Sequence, residues 1–152
     1  MRSNPYQNYL DTEVLTADPL KLVVLLYRGA LDSVAAARRH LASGDISARS
    51  QAITRGIEII SELIRSLDFD RGGGIAPQLG RLYEFVTHRL IEANVQQRDQ
   101  PLADAEQVLA TLLDGWQQCQ QSQALAYAPQ AKVDGYLDQG TDIQQARVSC
   151  AY

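Results

Sequence analysis

Four successive stretches of this chain repeat apolar residues at alternating spacings of three and four, each closed by a polar break with proline or glycine. That spacing lays one apolar stripe along an α-helix. The stripes read Val23, Tyr27, Ala30, Val34, Ala37 and Leu41, flanked by Leu22 and Leu26; Ile53, Ile57, Ile60, Ile64 and Leu67; Ile75, Leu79, Leu82, Val86, Leu90 and Ala93; and Leu102, Ala105, Leu109, Leu112, Trp116 and Cys119. The spacing predicts helices over about 19–43, 46–68, 75–97 and 101–122. Short connections make neighbours antiparallel, so the expected fold is all-α: an antiparallel up-down four-helix bundle over 18–122.

The breaks have their own chemistry. Asp18 before Pro19 is a helix start, since the carboxylate accepts a first-turn N–H and proline gives up a donor that had no partner. Gly44 takes a left-handed stop easily, and Asp45 is placed to cap the next helix. Asp68 to Gly74, with three consecutive glycines, makes the longest loop; it lacks the Lys-Ser/Thr of a phosphate loop. The second helix carries a further apolar row, Ala52, Gly56, Ile59 and Leu63, and two adjacent rows leave more apolar surface than one core face uses. Residues 1–17 form an apolar leader with Tyr6, Tyr9, Leu10, Val14 and Leu15, expected to lie on the bundle. Residues 123–152 form a polar tail, compatible with disorder and with one short extra helix.

Charge and composition narrow the function. A formal net charge of −4 argues against nucleic acid, which needs a concentrated basic face. Arg38, Arg39 and His40, the densest basic cluster, fall in a last helical turn, where the helix dipole accounts for them. The longest apolar run, Leu22 to Tyr27, is far too short for membrane insertion, and the first residues lack the apolar core of a signal peptide. Cys119 and Cys150 have no metal-ligand or redox spacing, so a reducing cytoplasm is the expected compartment.

Helix bundles do house catalytic metals. Glu84, His88 and Glu92 are spaced by four rather than three and have no matching second set, so a solvated face explains them more simply than a metal site. Nothing in the sequence calls for a cofactor or a catalytic nucleophile. Trp116, Tyr27 and Tyr83 read most simply as core residues. The unexplained features are the surplus apolar surface and the apolar leader. A loosely held leader that covers an apolar groove, and yields it to a partner helix, accounts for both.

Four motifs resemble the FliS-type flagellin chaperones: Val14 and Thr16 to Pro19 leading into Leu25 to Leu31; Gly56 to Leu63 with Leu67 and Asp68; Gly73 to Phe85; and Arg89 to Asn94 before Trp116. Asp18 replaces the usual Ser and Gly56 the usual Ala. The resemblance implies a cytoplasmic chaperone that binds the disordered C-terminal segment of flagellin, prevents premature polymerisation and presents it to a component of the flagellar export gate. It implies that Tyr6 and Tyr9, anchored by Leu10 and Val14, gate a groove with Gly56, Ile59, Ile60, Leu63, Leu79, Tyr83 and Asn94 as candidate lining residues. Ile60 and Leu79 serve equally well as core. A structural or oligomeric bundle is the alternative, a homodimer is compatible with chaperoning, and a metal-carboxylate enzyme is a distant third.

Overall fold

A computed structural model of the chain describes residues 19–68, 70 and 73–127, with side chains through residue 122. The leader and its Tyr6, Tyr9, Leu10 and Val14, the Asp18 cap and most of the tail lie outside the described residues. The described residues form four α-helices: α1 Pro19–Ser43, α2 Ile46–Arg65, α3 Ile75–Gln96 and α4 Gln100–Tyr127.

Each boundary has a local cause. At the end of α1, Gly44 adopts φ 74°, and the Asp45 N–H reaches back to the His40 carbonyl at 3.0 Å, so the helix closes through its last free acceptors. The Asp45 carboxylate then accepts the Ala48 N–H at 3.0 Å and opens α2. Helix α2 stops at Arg65, three residues before the expected 68. The Asp68 carboxylate takes the Asp70 N–H at 3.0 Å, a local turn that competes with helix. Gln97, with φ 56°, ends α3. Helix α4 runs five residues beyond the expected 122. Gln and Ala favour the extension, and it stops two residues before Pro129, a residue type that disfavours helix in the position before it.

The helices form a ring in which α1 and α3 each lie beside α2 and α4 and diagonally from each other, with the α1–α2 contact the most extensive. Tyr27, Tyr83, Ile60, Leu63, Leu90, Leu102 and Leu109 are its largest fully buried apolar side chains. Burying each such residue is worth about 1.5–3 kcal/mol.

Two stripes are placed differently from expectation. On α3 the core takes Ala76, Leu79, Tyr83, Val86, Leu90 and Ala93, while Ile75 and Leu82 turn outward. On α2 the core takes Ile53, Gly56, Ile60 and Leu63, a line between the two rows read in the sequence, and Leu67 just beyond the helix joins them. The surplus therefore splits. Ile59 and Ala52 lean toward α1, where Ile59 lies against Gly29, and Ile57 and Ile64 lie on the opposite flank.

Candidate functional site

The apolar surface that the bundle leaves unburied gathers on two faces of α3. The first faces α2. Its register is fixed by Asn94, whose side-chain oxygen accepts from Arg49 Nε at 3.3 Å and from Ser50 Oγ at 3.1 Å. From Ser50, steps of seven lead along α2 to Ile57 and Ile64; from Asn94, steps of seven lead back along α3 to Thr87 and Gly80. The Leu67 side chain, just beyond α2, lies 3.8 Å from where a Cβ on Gly80 would stand, so this end of α2 also meets α3. The α3 row is built of the small or polar Gly80, Thr87 and Asn94, so the apolar surface of this seam lies on its two edges. Those edges carry Ile46 and Ile64 on α2 and Ile91 and Val95 on α3, exposed by 57%, 37%, 47% and 75%.

The second face borders α4. Arg89 donates to Glu92 at 2.7 Å and to Asp104 on α4, and its guanidinium carbon stands 5.6 Å from the Phe85 ring centroid. These bonds, chiefly the one to Glu92, raise the affinity of Arg89 for its proton. Ile75, Leu82 and Phe85 continue the same side of α3 away from Arg89.

The sequence-based candidates fall into three groups. Ile60, Leu63 and Tyr83 are fully buried and Leu79 nearly so, all within the core. Gly56 faces both α3 and α1: an added Cβ would stand 3.4 Å from Leu90 on α3 and 3.6 Å from Ser33 on α1, so the chain's own helices fill the space beside it. Ile59 and Asn94 are half-buried. The reading of the sequence missed Ile46, Ile91, Val95 and Phe85, because outward apolar residues have no periodic signature of their own.

Charges at the far end of the bundle lock helices together. Arg38 was expected to serve the dipole of α1. Instead its guanidinium holds Asp99 through two bonds and Glu106 through one, all at 2.8 Å. The bond to Arg38 lowers the proton affinity of Asp99, and the two carboxylates, Asp99 first, raise that of Arg38. Arg49 is 3% exposed and binds Asn94 through Nε. A depression of about 400 Å³ between α1 and α2 is lined by mixed residues including Asp32, His40 and Arg55. Among the described residues no three His, Cys, Asp or Glu side chains are grouped to hold a metal ion, and no helix is long and apolar enough to cross a membrane. Glu92 is paired with Arg89, and Glu84 and His88 are exposed.

Comparison with known proteins matches residues 2–123 to the family model described as flagellar protein FliS. The chain is 32% identical over 110 residues to the flagellar secretion chaperone FliS of Salmonella typhimurium, covering 72% of this chain and 82% of that protein. It is 35% identical over 107 residues to the flagellar secretion chaperone FliSB of Pseudomonas aeruginosa, covering 70% and 85%. With the flagellar secretion chaperone FliS of Bacillus subtilis it shares 28% identity over 120 residues, covering 79% and 89%. A helical bundle matched over this span, with relatives aligned along most of their own length, belongs to the FliS family of flagellar proteins.

Proposed function

We propose that the protein is a cytosolic chaperone of flagellar secretion that binds the disordered C-terminal region of flagellin, keeps it from polymerising and delivers it to the export gate. Membership of a family of flagellar secretion chaperones sets the class. The observation that supports the binding mode is the apolar surface along the α2–α3 seam, where Ile46, Ile64, Ile91 and Val95 stand exposed.

A partner segment that folds onto such a seam buries its own apolar face and these exposed side chains together. Ordering the partner costs about 2–5 kcal/mol of the gross interaction, which leaves a complex that protects the client and still opens. Release then requires a competing surface rather than chemistry by the chaperone. In this reading Asn94 borders the site, Ile59 lies on the other flank of α2 against Gly29 and supports that helix from the α1 side, and Ile60, Leu63, Leu79, Tyr83 and Gly56 hold the site's walls in register from inside. Tyr6, Tyr9, Leu10 and Val14 of the leader gate it.

Calorimetric titration with a flagellin C-terminal peptide tests the function. Binding on the order of 10 μM or tighter, with a negative heat-capacity change, is expected. A bundle that is folded by circular dichroism and gives no heat overturns it. Ile91→Asp and Val95→Asp test the surface, with an expected affinity loss of about tenfold or more. Deleting residues 1–15 raises affinity if the leader competes and lowers it if the leader clamps the client; unchanged affinity removes the leader from the mechanism.

A further inference from the structure

The strip of α3 beside α4 leaves large apolar side chains uncovered among the described residues. Ile75, Leu82 and Arg89 are seven apart and share one face of α3, and the bond from Arg89 to Asp104 turns that face toward α4. From Asp104 the adjoining side of α4 continues through Val108 and Leu112, both partly buried against the core. Ile75, Leu82 and Phe85 remain 36%, 36% and 44% exposed. Arg81, one turn before Phe85, stands exposed at the border of the strip with no ion pair among the described residues.

We infer that residues 133–143, beyond the end of α4, dock on this strip, with Val133, Tyr136 and Leu137 against Ile75, Leu82 and Phe85, and with Asp134 and Asp138 toward Arg81. Reach and charge both select this segment. In antiparallel register from the Arg89–Asp104 pair, Ile75 lies level with Gln118, so Tyr127 overshoots it by nine residues, about 14 Å of helix. Residues 128–132 can return about 17 Å or more when extended, which brings Val133 to Ile75. Pro129 stops the helix, and Gly135 and Gly140 allow the path to bend. Segment 133–143 carries Asp134, Asp138 and Asp142 and no basic residue, the complement of Arg81. The leader is placed less well, because it enters α1, diagonal to α3. The segment also lies beyond the matched residues 2–123, so the inference stands apart from the client-binding reading.

Hydrogen exchange of the full chain at micromolar concentration tests it without any client. Amides of 136–143 should be protected by about tenfold or more over a free peptide of the same sequence. Phe85→Asp, at an exposed position, should return them to the peptide rate. Arg81→Glu should weaken the protection, and Asp138→Arg in the same chain should restore it; this charge swap decides the matter even if the Phe85 variant folds poorly. Tail amides that exchange at the peptide rate in the parent chain overturn the inference, as does protection that survives both substitutions. Protection lost on dilution places the tail on a second copy, and release of residues 1–18 instead of 133–143 names the leader as occupant; either outcome also overturns it.

Discussion

The hydroxyls of Tyr27 and Tyr83 meet at 2.6 Å in the centre of the bundle, with neither residue exposed. They join α1 to α3 across the diagonal, with ring centroids 6.2 Å apart and tilted by 56°. A buried hydroxyl needs such a partner, so the pair ties the rotation of one helix to that of the other. Tyr27→Phe and Tyr83→Phe should each cost about 1 kcal/mol in urea unfolding. The double substitution should cost clearly less than the sum, since both remove the same bond. Strict additivity would show the hydroxyls to be energetically independent.

Asn94 is the acceptor for a buried arginine. Arg49 is 3% exposed and its Nε donates to the Asn94 side-chain oxygen, which also receives Ser50 Oγ. Removing that oxygen strands two donors, so Asn94→Ala should lower stability by about 1–3 kcal/mol. Asn94→Asp keeps an acceptor and adds charge opposite the guanidinium, and should be at least as stable as the parent. Equal urea midpoints for the parent and the Ala variant would leave the Arg49 contact without energetic weight.

The four helices were legible because their stripes repeat at three and four, and the stops at Gly44 and Asp45 because their backbone chemistry is local. The choice between Leu82 and Tyr83 was not. Both 75-79-82-86 and 76-79-83-86 satisfy helical spacing, and the partner that selects Tyr83 is Tyr27, 56 residues away. Arg38 was hidden in the same way, since Asp99 and Glu106 lie on the far side of the bundle in sequence. Arg49 did leave a trace. It continues the buried row Ile53, Gly56, Ile60 and Leu63 at the same spacing, which puts a guanidinium on a core face. Of the site candidates, Gly56, Ile60, Leu63, Leu79 and Tyr83 lie on core-facing or helix-contact surfaces, because sequence spacing identifies a buried face more readily than the outward residues beside it.

The Arg38–Asp99 pair predicts a modest acid dependence. The folded carboxyl of Asp99 is held below its ordinary value of 3.8 by the bond from Arg38. Its contribution is therefore fully present above about pH 4 and is lost as pH falls through the depressed folded value. Both groups are well exposed, so solvent screening limits the pair to about 0.5 kcal/mol. Asp99→Asn should be less stable than the parent by roughly that amount at pH 6 in urea titrations, and the gap should narrow below pH 4. A gap independent of pH from 6 down to about 2.5 would assign it to packing instead.

Gly56 separates helix propensity from helix spacing. It sits in the interior of α2, where glycine costs up to about 1 kcal/mol relative to alanine. A Cβ would stand 3.4 Å from the Leu90 Cδ1 methyl and 3.6 Å from Ser33 Cβ, which is contact without overlap. Gly56→Ala should therefore raise the urea midpoint, by up to about 1 kcal/mol in stability. Gly56→Leu drives a branched side chain into the α1–α2 contact and against Leu90, and should cost about 1–3 kcal/mol through displaced backbone. If the alanine variant is destabilised as much as the leucine variant, Leu90 on α3 and Ser33 on α1 cannot yield even a few tenths of an ångström. Spacing, not propensity, then determines the residue at this position.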